Sequence, residues 1–283
     1  MKQLFVIKAA LLIIACLLLS GTRELSSQRT GINSNNILAA GETGEAIPAD
    51  IFKKGNPDKK AMTELRIEKP YRLVPSVNDA DGNSYGTVKI GTQVWITENL
   101  KVTRFNDNKE IAMIDVHKKS RADLENAERI QTPGYSWYNN DGPVYKNVYG
   151  ALYNWHAVNT GKLCPAGWHI PSDNEWIVLL NYLGGVSDAG VKIKETGTLH
   201  WQKTKIKATN ESGFTARPGG YRTDTGEFFH VGTYCSWWSS TGNDDNNAWH
   251  YYMGYYYSHV FRDYHTRENG FSVRCIMDSS KPL

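Results

Sequence analysis

The clearest hydrophobic pattern in the chain is a helical one near its middle. Ser172 is placed as an N-cap, and Glu175, three residues later, completes a capping box. Gly184-Gly185 supplies residues that readily adopt the left-handed conformation at a helix end. Between these signals, apolar residues recur at the spacing of one helical face: Trp176, Leu179, Leu180 and Leu183. The pattern predicts a helix between Ser172 and Gly184 with one buried face.

An alternating pattern further upstream predicts a β-hairpin. The segments Tyr85–Ile90 and Gln93–Glu98 are separated by two residues, and Gly91 at the first of them is typical of a type II′ turn. This turn would place Val88 opposite Trp95. Apolar side chains then lie on both faces of the second strand, which is therefore predicted to be covered on both sides.

Short strand-like segments, broken by glycine, fill the second half of the chain. They include Cys235–Thr241, Ala248–Met253 and Tyr255–Val260. The 9 Trp, 16 Tyr and 25 Gly favour short strands and tight turns over a helical bundle. Segments 121–130 and 149–158 predict two further short helices. The fold class indicated is α+β, with short antiparallel sheets and one main helix.

The N-terminal pattern is that of an export signal in residues 1–21. Lys2 and Lys8 precede an apolar run, and small residues follow it. Cys16 loosely fits a bacterial lipobox and is a candidate for lipidation, although Leu17–Leu19 extend the apolar run beyond it. Residues 22–73 are polar and aperiodic, which predicts a flexible tether before a domain at residues 74–278.

Charge and cysteine content narrow the class of protein. The formal charge of +3 falls to +1 without Lys2 and Lys8, and the chain has no long basic run, so nucleic acid is not an expected partner. Cleavage or lipidation of Cys16 would leave Cys164, Cys235 and Cys275 in the mature chain. In an oxidising compartment, one disulfide and one free thiol are expected among these three. The residues leave the pairing open, because either Cys164 or Cys235 could join Cys275.

Known metal motifs are weakly represented. The run Asp79–Asn83 has oxygen atoms at alternate positions, but Ile90 stands where a calcium-binding loop needs a bidentate Glu. The run therefore predicts a tight turn. The eight histidines form neither H-E-x-x-H nor H-x-H, and His169, between Trp168 and Ile170, is expected to be structural.

Six motifs in order carry a family resemblance. They are DADGNSYGTVKIGTQVWITENLK, YGALYNWHAV, LCPAGWHIPSDNEW, SGFTARPGGYR, WWSSTG and GFSVRC. The series resembles the Fibrobacter succinogenes major paralogous domain, a module of exported bacterial proteins, over about residues 75–278. The resemblance implies a C-type-lectin-like fold and leaves the biochemical role largely undefined. It also implies that Cys164 and Cys275 are disulfide-linked, as the first and last elements of lectin-like domains are.

A lectin-like fold draws attention to polar loops, because lectins hold calcium and sugar hydroxyl groups with side-chain oxygen atoms from such loops. The candidate ligand-binding residues here are Asn243, Asp244, Asp245, Asn247 and Trp249, and Asp244 and Asp245 are the candidate calcium ligands. The Glu-Pro-Asn type triplet of sugar-binding lectins is absent. The tyrosines of 251–252 and 255–257 are a second candidate, as a sugar-stacking platform, although alternate strand positions must point inward.

An enzymatic alternative is a formylglycine-generating-enzyme-like oxidoreductase. Those enzymes have a lectin-like fold, Pro218–Arg222 is faintly similar to their glycine-arginine core, and Cys235 and Cys275 would be the reactive pair. No lysine or histidine adjoins Cys235 in the sequence to lower the pKa of its thiol. We therefore expect that the protein has no catalytic residues and is not an enzyme.

The expected protein is therefore an exported cell-envelope protein, on the outer membrane surface or secreted, whose domain binds polysaccharide or a surface protein. A structural component of the envelope with no small ligand is the alternative. Calcium is the one candidate cofactor, and membrane contact is expected only through a lipid on Cys16.

Overall fold

The computed structural model describes residues 74–114 and 131–279 of the 283-residue chain. The predicted export signal, the lipidation site at Cys16, the tether and the predicted helix at 121–130 lie outside the described residues. Within the described part, no helix combines the length and hydrophobicity needed to cross a membrane.

The described part contains thirteen strands and four α-helices, which confirms the mixed class. The strands are β1 (Val74–Asn78), β2 (Ser84–Ile90), β3 (Gln93–Ile96), β4 (Ala112–Met113), β5 (Gly134–Ser136), β6 (Leu152–Tyr153), β7 (Trp168–His169), β8 (Gly219–Arg222), β9 (Phe228–Val231), β10 (Tyr234–Gly242), β11 (Asn247–Gly254), β12 (Phe261–Thr266) and β13 (Ile276–Met277). The helices are α1 (Gly142–Tyr149), α2 (Trp155–Val158), α3 (Asp173–Tyr182) and α4 (Val186–Ile193).

The strands form three sheets. The first has the order β1-β2-β3-β13-β7 and is antiparallel throughout. The second has the order β12-β11-β10-β8-β9, and the third has the order β4-β5-β6. The expected antiparallel pairing is confirmed for most strands, but β8 pairs with β10, and β4 with β5, in parallel.

Helix α3 has the predicted start, end and buried face. The Ser172 hydroxyl accepts a hydrogen bond from the Glu175 backbone N–H, and the Glu175 carboxylate accepts one from the Ser172 N–H. Gly184 and Gly185 follow the helix at φ +98° and +93°, where a residue with a side chain is disfavoured. Trp176 is fully buried, as the helical pattern requires.

The hairpin of β2 and β3 also has the predicted register. Val88 pairs with Trp95 and Ile90 with Gln93. Gly91 has φ +61°, as the first central position of a type II′ turn requires. All four residues of β3 are buried, so this strand is covered on both faces.

Two secondary-structure predictions were wrong. Tyr255–Val260 is not a strand, because the buried Lys194 Nζ binds the carbonyl oxygens of Gly254, Tyr255 and Tyr257 at 2.8–3.2 Å and folds this segment into turns. The strand lies instead at β12. The helix expected at 149–158 is confined to α2, because Gly150, at φ +77°, turns the chain away from the end of α1.

A disulfide joins the segment before α3 to the segment before β13. Cys164 and Cys275 are bonded, with their Cα atoms 5.9 Å apart, and both are buried. Cys235 is a free, buried thiol. The implied pairing is therefore confirmed, and the alternative pairing of Cys235 with Cys275 is wrong.

Two hydrophobic clusters lie on opposite sides of β10. Trp237 packs into the cluster that contains Trp95 and Trp176. Its neighbour Trp238 packs into the cluster that contains the disulfide. Both indoles are fully buried, so β10 is a central strand that contributes to the core on each side.

Candidate functional site

The strand register gives the second sheet two chemically different faces. Directly opposed residues of antiparallel strands project to the same side of a sheet, and their chain neighbours project to the other. Across β10, β11 and β12, one face carries the rows Trp238–His250–Asp263 and Ser236–Tyr252–Phe261, and the opposite face carries the row Trp237–Tyr251–Arg262.

The face that carries Tyr251 is closed by helix α3. The Tyr251 ring stacks on Trp176 with 5.0 Å between ring centroids, and its hydroxyl donates to the Asp173 carboxylate at 2.8 Å. Burial and the hydrogen bond to Asp173 raise the pKa of Tyr251 well above its ordinary value. Arg262 binds both carboxylate oxygens of Asp173, at 2.7 and 3.0 Å. These contacts are structural.

The other face lines a cavity of about 340 Å³, which we name the aromatic cleft. Its polar lining residues are Ser236, Asp263 and three histidines, His230, His250 and His265. Its aromatic lining residues are Tyr221, Tyr234, Tyr252, Tyr257, Phe261 and Phe271. Aromatic side chains combined with several polar groups are a composition found in small-molecule sites.

His250 lies at the back of the aromatic cleft and is 3% exposed. Its ring is stacked between Tyr252 and Phe271, with centroids 5.5 and 4.5 Å away. Neither ring nitrogen has a hydrogen-bond partner among the described residues. Burial and, to a smaller extent, the nearby His265 together lower the pKa of His250 to about 3, so the ring is neutral at physiological pH.

Asp263 and His265 lie on β12 at the exposed side of the cleft. The Asp263 carboxylate accepts one hydrogen bond, from the Tyr264 backbone N–H at 2.8 Å. The His265 ring is 5.1 Å from that of His250. The cleft therefore has exposed hydrogen-bonding side chains at its mouth.

The candidate loop at residues 243–247 forms the turn between β10 and β11. Asp244 Oδ1 accepts hydrogen bonds from the backbone N–H groups of Asn246 and Asn247, both at 2.8 Å. The Asn247 side chain donates to both Asp244 oxygens, and the Asn243 side chain donates to Oδ2. The Asn247 hydrogen bond, followed by that from Asn246, lowers the Asp244 pKa. A calcium ion here would have to displace these bonds.

The remaining loop candidates do not join the aromatic cleft. Asp245 is exposed in the turn. Trp249 lies on the opposite face of β11, where the Arg262 guanidinium covers its ring at 3.3 Å and the Tyr264 ring meets it edge-on. Within residues 74–114 and 131–279, no group of three or more His, Cys, Asp or Glu side chains is placed to hold a metal ion.

The tyrosine stretches are divided between the core and the cleft. Tyr251 is buried in the core, whereas Tyr252 and Tyr257 line the cleft. The Tyr256 hydroxyl lies 2.7 Å from that of Tyr234, at the edge of the same cavity. The predicted inward orientation of some tyrosines is therefore observed.

The cysteines do not form the pair that the oxidoreductase alternative needs. Cys275 is bonded to Cys164. The Cys235 thiol is fully buried, and burial raises its pKa far above the ordinary value. His169 bridges two carboxylates, Glu175 at 2.9 Å and Asp278 at 2.6 Å, as expected of a structural histidine.

Sequence reasoning missed His250, Asp263, His265 and Phe261 as cleft residues. The available signal was the segment Phe261–His265. In a strand, its alternate residues Phe261, Asp263 and His265 lie on the same face, which indicates a face directed to a partly polar site. Assigning the strand to Tyr255–Val260 hid that alternation.

Comparison with known proteins gives one result. The family model described as the Fibrobacter succinogenes major domain matches residues 88–277, from β2 to the end of β13. No curated protein and no solved structure matches the chain. The match covers more than half of the sequence and agrees with the resemblance carried by the six motifs. The chain therefore belongs to the Fibrobacter succinogenes major domain family.

Proposed function

We propose that this domain is a lectin-like carbohydrate-binding module, without catalytic activity, on an exported protein of the cell envelope. The observation that carries the proposal is the aromatic cleft on the open face of the second sheet. The apolar face of a sugar ring packs on aromatic side chains, while a few convergent polar groups bind its hydroxyl groups.

The shape of the site favours a glycan over a surface protein as the ligand. A cavity of about 340 Å³ is of the size of small-ligand pockets, which start at about 300 Å³. A stable protein partner needs roughly 800 Å² of contact surface on each side. The disulfide is consistent with a compartment outside the cytoplasm, which supports export.

Binding of the full chain to a glycan array, with calcium and with a chelator, tests the proposal. Two matched variants locate the site: Tyr257→Ala removes a cleft ring, and Tyr264→Ala removes a half-exposed ring from the opposite face of β12. We expect Tyr257→Ala to weaken binding by about 1 kcal/mol, roughly fivefold in Kd, and Tyr264→Ala to leave it unchanged.

Two outcomes count against this assignment, and a third concerns calcium alone. Absence of binding to any glycan favours the structural role in the envelope. Binding lost after Asp244→Ala with Asp245→Ala, but kept after Tyr257→Ala, places the site in the loop. Glycan binding that disappears when the chelator is added would show that calcium is a cofactor.

A further inference from the structure

The aromatic cleft has an uneven distribution of charge. Asp263 is the one carboxylate among the described residues that line it, and no lysine or arginine is among those lining residues. The neighbouring Arg262 projects to the opposite face of β12, where Asp173 binds it. A carboxylate or sulfate group of a ligand would therefore meet Asp263 with no fixed cation opposite it.

The ring of His250 closes the buried end of the cleft. Both of its nitrogens are covered by protein atoms, so a ligand in the cleft meets the ring and not these nitrogens. Polar recognition therefore falls to other lining groups, among which Asp263 is exposed at the mouth of the cleft and carries a charge.

Building on the proposed carbohydrate function, we propose that the aromatic cleft selects uncharged sugars, and that Asp263 is the specificity-determining residue that binds sugar hydroxyl groups and rejects acidic sugars. Asp263 offers acceptor oxygens at the mouth of the cleft, where hydroxyl groups donate to them. Stacking on the rings alone would not distinguish a neutral sugar from its uronic acid.

The test measures binding of the full chain by calorimetry to matched probes. The probes are a panel of neutral gluco-, galacto- and manno-oligosaccharides and the same compounds oxidised at C6 to uronates. We expect the neutral member of the bound pair to be preferred at least about tenfold. The preference should shrink with added salt, because salt screens the repulsion between Asp263 and the uronate.

Two variants separate selectivity from stacking. Asp263→Asn keeps the size of the side chain and removes its charge, so the preference should fall severalfold. Asp188→Asn is the matched control, because Asp188 is exposed on α4 and does not line the cleft, and it should leave the preference unchanged. An unchanged preference after Asp263→Asn would overturn the role of Asp263.

Failure of the proposed selectivity can be distinguished from failure of the proposed carbohydrate function. Equal or tighter binding of the uronate, weakened by Tyr257→Ala, overturns the selectivity and leaves carbohydrate binding in place. Absence of binding to both members of every pair overturns the proposed function, and the selectivity with it.

Discussion

Reduction of the Cys164–Cys275 disulfide should destabilise the domain strongly. The bond closes a loop with a sequence separation of 111, and it joins the segment before α3 to the segment before β13. β13 lies between β3 and β7 in the first sheet, so the chain end is built into the sheet's interior. Reduction therefore frees both ends of a long loop in the unfolded state.

The magnitude follows from the loop length. In the chain-entropy model, a loop of about this size stabilises the folded state by about 4 to 5 kcal/mol. One kcal/mol shifts the Tm of a domain of 150–250 residues by roughly 2–4 °C. Full reduction should then lower the Tm by roughly 8–20 °C.

The assay compares thermal and urea unfolding of the full chain with and without reductant, and alkylation with mass spectrometry verifies complete reduction. The matched control is Cys235→Ala, which lacks the free buried thiol and keeps the bond, so reductant should shift its Tm as much as that of the parent. Cys164→Ala with Cys275→Ala should not respond to reductant. A fully reduced parent whose Tm moves by less than about 3 °C would refute the reasoning.

Three further predictions concern other parts of the described structure. The hydrogen bond to Glu175 raises the His169 pKa against the opposing effect of burial, and Asp278 adds to the rise. Protonated His169 therefore contributes its full stabilisation below its unfolded-state pKa, and this stabilisation is lost as the pH rises through its folded-state pKa. His169→Gln should remove this pH dependence of the free energy of unfolding, measured by urea unfolding at several pH values. Leu179→Ala on the buried face of α3 should cost about 2–5 kcal/mol in urea unfolding, and exposed Val178→Ala should cost under about 1. Cys235 should react with a thiol probe in the unfolded chain much faster than in the native one; equal rates would contradict its burial.

Local signals were sufficient where neighbouring residues decide the structure. The capping box at Ser172 and the glycine turn at Gly91 depend on backbone preferences within a few residues, and both elements have the predicted register and ends. The position of β12 was not readable in this way. Lys194, which is 60 residues before Gly254 in sequence, donates hydrogen bonds to the carbonyl oxygens of Gly254, Tyr255 and Tyr257. No local sequence pattern indicates such a contact.

The role of the candidate loop at residues 243–247 could not be decided from the sequence for a related reason. An exposed run of Asn and Asp residues is equally suited to bind an ion and to close a turn, because the same oxygen atoms accept hydrogen bonds in both cases. Only the geometry distinguishes them, and in this turn Asp244 accepts bonds from the loop itself. The sequence identified the residue types correctly and could not show where their oxygen atoms point.

The two tryptophans at the centre of β10 show how one sheet can serve both stability and recognition. Trp237 and Trp238 are adjacent in sequence, so they must project to opposite faces, and each is fully buried in a different cluster. The cleft lies beside this core on the same sheet, where Ser236 of β10 lines it together with residues of β8, β9, β11 and β12. Along β11 the same alternation commits Tyr251 to α3 and leaves Tyr252 in the cleft. Substitutions at alternate positions of these strands should therefore have different effects. Changes at positions that face α3 should mainly lower the stability of the domain, and changes at positions that face the cleft should mainly weaken ligand binding.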